Sequence, residues 1–558
     1  MPIDPQSVLR RHKRLVEQHQ LWRWVWQDIA NVIHPRRAQF VLKPAPGQRQ
    51  TEHLYDSTAL DANDRLASTL NGTLTTRSAK WFSLKIRDEQ LNESQDVQEW
   101  LEECAKRMFR VFNQSNFNSE VHEVYLDEGA FGTAALLEEE KEPESSTFKG
   151  IIFRALALAD LVIDENAEGR VDTLMRTFKM SAAAAVDKWG RDKLGPRVLQ
   201  AFDTGKADDL FEFLHAVFPR KIDGKPIPTQ GTPKTNLPVA SVYIGMLDKN
   251  LIDEGGFNEF PFMVPRWTKT AGEIYGRGPG HIALPDTKTL NKVVELGLRT
   301  WAKNLDMPTK SIDDGVVGPI RNVPGGNTIV RDMEALQPLF PPGTFRESIS
   351  NDQVKAGDLK ASIRRIFFAD QMELPQGPQM TAFEVAKRFE LLERLLGPTM
   401  GRQETELLNP LIERTFGIMF RKGAFTPPPD ILTKNGADID VQYEGPLAKS
   451  QRLSEVEGIE RLGQYVQGAA TLQPNVIDVI DFDQAVRISA DVLGVPTHVL
   501  RDPKDVAKMR AQRDQQNAER QQLMDAQTTA QAAGKAAPAL KLLPQVASAQ
   551  GGNNGQAA

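Results

Sequence analysis

Two stretches near the N-terminus, residues 5–34 and 55–76, have the apolar spacing of helices. The first contains Trp22, Trp24 and Trp26. Because successive helical residues are about 100° apart, this alternate spacing spreads the three rings around the helix. We therefore expect the first helix to be contacted on several sides.

From residue 147 to about residue 270 the pattern changes to short strand-like pieces. An Asn-Ala-Glu-Gly turn at 166–169 separates two of them and predicts a β-hairpin. Ser181 precedes an alanine-rich stretch and suits the N-cap of a short helix. Together with the helices elsewhere, the pattern predicts an α+β fold that is mainly helical.

The run SNFNSEVHEVYLDEGAFGTAALLEEE predicts one helix, entered through Ser119. Its apolar positions form a single stripe, which is typical of an amphipathic helix that packs on a core. Glu128 lies on that stripe and would need a polar partner if it were buried. The stripe contains Val121, Val124, Tyr125, Gly132 and Ala135.

The same run raises the alternative of a metal-dependent hydrolase that uses His122, Glu123 and Asp127. A zinc-binding helix needs two ligands one turn apart, and the residue one turn after His122 is Leu126. Asp127 lies roughly 140° around the helix from His122. Glu123 and Asp127 share a face, but two exposed carboxylates without a third ligand are typical of a solvated surface. We therefore predict no metal, no cofactor and no catalytic residue.

The glycine-rich residues 272–280 lack the GK[ST] ending and the GxGxxG spacing of phosphate-binding loops, so they predict a tight connection into the next helix. That helix is predicted over 285–306, with Pro285 and Asp286 at its start. Four basic residues fall within a sector of roughly 60° on it. On a lone helix, such a basic stripe is typical of a solvated face. The basic stripe consists of Lys288, Lys292, Arg299 and Lys303.

After residue 306, segments that predict a helix alternate with segments whose prolines and glycines interrupt one. Residues 307–346 are rich in Pro, Gly and short β-like pieces, 349–371 predict a helix, and the prolines of 372–380 end it. A capping box at Thr381 restarts a long helix, which we expect to bend at Gly397-Pro398 and at Pro410.

The C-terminal part begins with one predicted strand at 437–445, which we expect to pair with a sheet formed earlier in the chain. Two helices follow and end near residue 495. The chain then becomes rich in Gln and Ala, and its last thirty or so residues are expected to be disordered.

Composition narrows the function classes. The chain has 558 residues, of which 40% are hydrophobic and 25% charged, as in ordinary globular proteins, and its single cysteine, Cys104, excludes an internal disulfide. Lys and Arg number 68 and Asp and Glu 74, which gives a net charge of −6. Proteins that hold DNA by bulk electrostatics are basic, so this chain would use local patches or surround the duplex. We find no signal peptide and no apolar stretch of roughly 20 residues, and expect a cytoplasm-like compartment.

Several long, ordered runs resemble portal proteins, the head-to-tail connectors of short-tailed, T7-like bacteriophages. The resemblance covers about residues 8–500 and departs only in the low-complexity tail. The matching runs are LYDSTALDANDRLASTLNGTLT with WFSL shortly after, FNSEVHEVYLDEGAFGTAALLEEE, VIDENAEGRVDT, PVASVYIG, PFMVPRW and GEIYGRGPGHIALPDTKTLN.

The resemblance implies a portal fold that assembles as a ring of twelve copies at one capsid vertex, with double-stranded DNA in a central channel. In such a ring the basic stripe would line the channel or lie between subunits, and the sequence leaves these two alternatives open. The implied regions are a wing (1–284), a first stem helix (285–306), a clip (307–346), a second stem helix (347–371), a tunnel loop (372–380), a long kinked helix with a wing strand (381–446), a crown (447–502) and a tail (503–558). The implied tunnel loop consists of Met372, Glu373, Leu374, Pro375, Gln376, Gly377, Pro378, Gln379 and Met380.

The implied function is the packaging and later exit of the genome, without catalysis. Implied partners are the terminase large subunit, the tail adaptor, the major capsid and scaffolding proteins, and internal core proteins, with no membrane. We expect the protein in the virion, and in the host cytoplasm during assembly. Because no GxxxxGK[ST] motif occurs, the energy for DNA movement would come from a partner. A tail or adaptor protein that assembles on a portal is the remaining alternative, and it would be monomeric in isolation.

Overall fold

The computed structural model describes most of the chain between residues 3 and 528. The described residues are 3–41, 45, 47–77, 80–86, 94–222, 225–226, 236–305, 309–311, 316–321, 328–332, 334–338, 346–372, 396–434, 441–444, 446–470, 473–492, 495, 499–501, 505–525 and 528. Contacts divide the chain into two compact units. The first unit is Met1–Asn92 with Trp100–Gln451, and the second is Glu93–Glu99 with Arg452–Ala558.

Helices supply most of the described structure. They are α1 (Pro5–Val32), α2 (Thr58–Leu74), α3 (Gln95–Gln114), α4 (Phe117–Phe131), α5 (Ala182–Trp189), α6 (Pro196–Asp203), α7 (Pro279–Leu305), α8 (Arg346–Ile366), α9 (Ala369–Met372), α10 (Asn409–Arg421), α11 (Asp430–Lys434), α12 (Pro446–Ala470), α13 (Phe482–Val492) and α14 (505–525). A π-helical segment, Gln403–Leu408, joins the helical residues 396–402 to α10.

The strands form small antiparallel sheets. They are β1 (Ser83–Ile86), β2 (Ala135–Glu140), β3 (Ile151–Leu156), β4 (Leu161–Glu165), β5 (Val171–Ser181), β6 (Leu210–Pro219), β7 (Lys221–Ile222), β8 (Lys225–Pro226), β9 (Val239–Gly245), β10 (Leu251–Phe257), β11 (Phe262–Met263), β12 (Thr309–Ser311), β13 (Leu336–Pro338) and β14 (Val441–Glu444). The main sheet has the order β10-β9-β6-β5-β4, and a second sheet has the order β11-β2-β3. The remaining strands pair as β1-β14, β12-β13 and β7-β8.

The main sheet confirms the predicted α+β region. The predicted hairpin joins β4 and β5, and the side chain of Asn166 accepts hydrogen bonds from the backbone N–H groups of Glu168 and Arg170. Ser181 caps α5 by accepting a hydrogen bond from the N–H of Ala184. One face of this sheet packs against Val8 and Leu15 of α1, and the apolar side chains between them form a core.

The three tryptophans of helix α1 differ in how far they are buried. Trp26 is fully buried and packs edge-on against Tyr275, and Trp22 stacks on Trp26. Trp24 is 68% exposed, so its side of the helix is uncovered within the described part of a single chain, whereas Trp22 and Trp26 lie on contacted sides. A face of α1 is therefore left apolar and solvated.

The predicted helix through residues 119–140 is wrong in its boundaries. Helix α4 begins after Asn116 rather than at Ser119, and it ends at Gly132, whose φ of 72° is a left-handed conformation that glycine adopts readily. The chain then continues as β2, because this turn directs its apolar residues into the second sheet. Gly132 and Ala135 consequently do not belong to the helical stripe.

The strand predicted near the C-terminus is confirmed. Strand β14 pairs antiparallel with β1, so residues more than 350 positions apart form one ribbon, with Ser83 opposite Glu444. Strands β12 and β13 also pair, which agrees with the short β-like pieces expected in 307–346. The tail is helical over α14, and the last thirty residues lie outside the described part of the chain.

Candidate DNA channel surface and its supports

Helix α7 begins earlier than predicted, at Pro279 rather than Pro285. Its first turn lies directly on the end of α4, where a Cβ atom at Gly280 would overlap the Ala130 carbonyl oxygen and lie 2.9 Å from the carbonyl carbon. The glycine-rich segment therefore permits close backbone packing, as the predicted tight connection requires. Pro285 lies inside the helix, and its side chain is exposed.

Polar contacts fix the first half of α7 to its neighbours. The ammonium of Lys288 lies 2.6 Å from the carboxylate of Asp28 on α1. The Asn291 amide donates to the His53 carbonyl at 2.7 Å and accepts from the Tyr55 N–H at 2.6 Å. Lys288 is thus a partner of α1, and the rest of the basic stripe lies farther along the helix.

The outer part of the basic stripe shares one acid. Lys292 and Arg299 lie 2.9 Å and 2.6 Å from the two oxygens of Glu295, and all three are on α7. The hydrogen bond from Lys292, and then the charge of Arg299, lower the pKa of the Glu295 carboxyl. Lys303 is exposed at the end of the helix. The structure places all four predicted basic residues on the exposed side of α7 and neutralises part of their charge.

Apolar side chains flank this surface. Leu296 is 48% exposed and Leu298 is 52% exposed. At about 100° per residue these two leucines point about 200° apart, so solvent reaches opposite sides of the helix. Trp301 is 57% exposed one turn farther on. The outer half of α7 therefore has two apolar flanks that the described residues of one chain leave uncovered.

Helix α8 lies beside α7, and the Ser362 hydroxyl donates to Asp286 at 2.7 Å. Asp286 thus links two helices instead of capping one. The helix predicted to reach residue 371 ends at Ile366, because Phe368 has a φ of 59°, and α9 follows. Met372, the first residue of the implied tunnel loop, is the last residue of α9, whereas 373–380 lie outside the described residues.

The long helix that follows contains the π-helical segment shortly before Pro410. Proline lacks the N–H that would bond one turn back, and its ring crowds that carbonyl, so a wider turn at this point relieves the clash. The change of helix type thus lies directly before Pro410, the position at which a bend is predicted. Residues 381–395, including the predicted capping box at Thr381, lie outside the described residues.

Gln403 of the π-helical segment is the partner that Glu128 requires. The Gln403 amide donates to the Glu128 carboxyl, and both side chains are fully buried. Burial raises the pKa of Glu128 to about 8 even though this hydrogen bond favours the charged form, and the nearby Glu406 raises it further. Glu128 therefore carries a proton at neutral pH and links α4 to the long helix.

Glu406, one turn later, meets a buried arginine. The guanidinium of Arg266 is 1% exposed and lies 2.7 Å from Glu406 and 3.0 Å from Glu165 at the end of β4. It also donates to the carbonyl oxygens of Gly169 and Ile274. One side chain thus joins the main sheet, the glycine-rich segment and the long helix.

A further buried pair lies on α10. The Arg414 guanidinium donates to the backbone carbonyls of Glu138 and Glu259, and the Thr415 hydroxyl donates to the Glu138 carboxyl at 2.8 Å. Burial raises the pKa of Glu138 to about 8, against the opposing charge of Arg414. These contacts attach α10 to β2 of the second sheet.

The residues of the hydrolase alternative do not converge. His122 lies 3.3 Å from the Ser68 hydroxyl, whereas Asp127 lies 3.1 Å from Arg37 and 3.4 Å from His34. Asp127 is 1% exposed, which corrects the expectation of a solvated carboxylate: it contacts the half-buried guanidinium of Arg37 and the buried imidazole of His34. Within the described ranges, no group of three or more His, Cys, Asp or Glu side chains is arranged to hold a metal ion.

Cys104 is likewise an interior residue. Its side chain is buried, and burial raises the pKa of its thiol to about 12. A thiol that stays protonated is a poor nucleophile. Across the described helices, none is both long and apolar enough to cross a membrane.

Comparison with known proteins identifies the family. The profile described as "Bacteriophage head to tail connecting protein" matches residues 5–500. The chain belongs to this family. The resemblance to portal proteins that the sequence runs indicated is confirmed.

Two relatives of this family member match along nearly their whole length. A "Probable portal protein" of Bordetella phage BPP-1 is 30% identical over 541 residues, 92% of each chain. A "Portal protein" of Salmonella phage epsilon15 is 26% identical over 553 residues, 95% of each chain. A solved chain titled "Virion of native gene transfer agent (GTA) particle" aligns with 78% of this chain and 94% of its own length, at 11% identity and a TM-score of 0.32, which is too low to support an argument.

The contacts that hold this candidate surface in place join residues that are far apart along the chain, so no short stretch of the sequence predicts them. Lys288 and Asp28 are 260 residues apart, and Arg266 and Glu406 are 140 residues apart. The pairing of Glu295 with Lys292 can be predicted from the sequence, because residues three apart are neighbours on a helix. The long-range pairs become visible only when the helices are placed side by side.

Proposed function

We propose that this protein is the portal subunit of a phage capsid. Twelve copies would form a ring at one vertex, with double-stranded DNA passing through the central channel during packaging and ejection. The observation that carries the proposal is the family match over residues 5–500, together with portal proteins that align over more than nine-tenths of their length.

The regions of the portal fold are assigned as part of the proposal. Residues 1–284, together with β14, would be the wing. Residues 285–306, nearly all within α7, and residues 347–371 would be the two stem helices, 307–346 with β12 and β13 the clip, and 447–502 the crown. The antiparallel contact of β12 with β13 between two adjacent helices supports the clip assignment.

The uncovered flanks of α7 support the assembly of a ring. A closed ring requires each subunit to present two different complementary faces. Leu296 and Leu298 expose apolar surface on opposite sides of the same helix. Contacts with one neighbouring subunit on each side would remove both flanks from water. Burial of this apolar surface would stabilise the ring by roughly 25 cal/mol per Å².

The charges on α7 support a conduit that does not grip DNA strongly. Each phosphate contact makes the log of affinity fall by about 0.9 per decade of salt, so many strong contacts would hold the duplex in place. Glu295 offsets part of the charge of Lys292 and Arg299, and Asp28 offsets Lys288. We infer that the basic stripe faces the channel, and that residues 372–380 form the tunnel loop that lines it.

The proposal includes partners and excludes catalysis. The clip would contact the terminase large subunit and later the tail adaptor, and the ring would contact the major capsid, scaffolding and internal core proteins. The family is named for a connecting role rather than for a reaction. The protein would act in the virion, after assembly in the host cytoplasm.

Electron microscopy of the purified full-length protein in negative stain tests the proposal. We expect rings with a central hole and about twelve-fold symmetry. Compact monomers at every concentration would contradict it and favour an adaptor protein. Cryo-electron microscopy of the rings would then show whether α7 and α8 border the hole.

A further inference from the structure

A second basic surface lies outside the proposed stem. Lys106, Phe109, Arg110 and Asn113 of α3 have the spacing of one helical face. They line a pocket of about 540 Å³. Arg77 and Lys80, which follow α2, and Gln114 complete its lining. Among the described residues that line this basic pocket, none is acidic.

Part of this positive charge is uncompensated. Glu102 lies 3.0 Å from Lys106 and 3.6 Å from Lys80, so both ammonium groups have a carboxylate beside them. Arg77 and Arg110 are exposed and have no carboxylate partner among the described residues. The basic pocket therefore differs from the α7 stripe, where three of the four cations contact an acid.

The donors of the basic pocket match the chemistry of phosphate. A guanidinium presents a planar set of N–H donors that bond two phosphate oxygens at once, and arginine cannot lose its charge at neutral pH. The side-chain amides of Asn113 and Gln114 add uncharged donors to the same rim. The site is shallow and open to solvent, which suits a phosphate carried on a large polyanion better than an enclosed small molecule.

We propose that the basic pocket binds the phosphodiester backbone of double-stranded DNA, as a contact separate from the stem. The inference rests on the proposed function, which supplies duplex DNA as the polyanion that this protein meets. It also explains how a chain with a net charge of −6 can contact DNA, because the attraction is concentrated at one place.

The test measures binding of a short fluorescent duplex of mixed sequence to the full-length protein by anisotropy, over a series of salt concentrations. The variant R77Q/R110Q removes the two unpartnered guanidinium groups. The matched control R513Q/R520Q removes two exposed arginines of α14, so the net charge changes equally. We expect R77Q/R110Q to weaken binding at least about tenfold at about 0.1 M salt and to reduce the salt slope by about 2, and the control to stay within about twofold of the wild type.

Three results would overturn the proposal. The first is equal affinity of R77Q/R110Q and the control, which would show that only overall charge matters. The second is that R77Q/R110Q loses binding of labelled poly-glutamate but keeps its affinity for the duplex, which would indicate an acidic protein partner. The third is that pyrophosphate competes as well as unlabelled duplex, which would indicate a small-anion site. Negative-stain images of R77Q/R110Q test the proposed function separately. Rings in this variant would show that a failure of the DNA-contact proposal leaves the portal assembly intact.

Discussion

Replacing Glu128 by Gln tests whether the folded protein holds a neutral acid in its core. Glu128 Oε2 and Gln403 Oε1 are buried and have no hydrogen-bond partner within the described residues. A proton on the carboxyl removes the buried charge and provides a donor close to Gln403. The E128Q variant places an N–H donor there at every pH, with almost the same shape.

The magnitude follows from the two protonation equilibria. The Glu128 carboxyl has a pKa of about 4.5 in an unfolded chain and about 8 in the folded protein, because burial disfavours its charged form. Stability linked to this proton is complete below about pH 4.5 and is lost as the pH rises towards 8. Between the two pKa values, each pH unit changes the folding equilibrium constant by a factor of ten. The free energy of unfolding therefore falls by about 3 kcal/mol between about pH 4.5 and about pH 7.

E128Q lacks this titration. We therefore expect it to match the wild type near pH 5 and to exceed its free energy of unfolding by about 3 kcal/mol near pH 7. Urea unfolding at a series of pH values, followed by tryptophan fluorescence, measures the difference. All eight tryptophans lie in the first unit, which contains both Glu128 and Gln403, so the signal reports that unit.

The control for this experiment is E168Q, at an exposed position in the turn between β4 and β5. Its free energy of unfolding should follow that of the wild type at every pH. Glu138, whose pKa burial also raises to about 8, is present in all three proteins, so its contribution cancels. A gap between E128Q and the wild type that stays constant from pH 5 to pH 8 would refute the reasoning, since it would mean that Glu128 is already ionised or in contact with water.

Three other predictions test the packing, the assembly and the channel. G280A should lower the free energy of unfolding by about 3 kcal/mol in urea titrations, because its methyl group would overlap the backbone of Ala130; an unchanged midpoint would show that the two helices can separate. W301A should change the stability of the single chain by less than about 1 kcal/mol, since the side chain is exposed, but it should reduce the fraction of rings in negative stain. K292E/K303E should form rings and retain less DNA in packaging assays, whereas loss of the rings would place these residues at a subunit contact.

The elements predicted from local pattern are those whose signals lie within a few residues. The Asn166 turn and the Ser181 cap depend on side chains that bond their own backbone neighbours, and both are confirmed. The tight glycine connection before α7 is also confirmed. For the turn and the cap the determining contact is local, so the order of residues contains it.

The boundaries were harder to predict. The apolar run through 119–140 continues the helical spacing, but Gly132 turns left-handed and the following residues join β2. Pro285 resembles a helix start, yet the packing of Gly280 on Ala130 begins α7 two turns earlier. At Gly132 the local preference of glycine for a left-handed conformation ends the helix. At Pro285, by contrast, the tertiary contact of Gly280 with Ala130 outweighs the proline as a start signal.

The sequence by itself determined the family, the α+β character and the positions of most helices, since ordered runs, caps and turns are properties of neighbouring residues. Only the tertiary structure decided that Glu128 meets Gln403, that Arg266 joins Glu165 to Glu406, and that Arg77 lines the same pocket as the basic residues of α3. These groups are far apart along the chain, and their burial and charge depend on neighbours that only folding brings into contact.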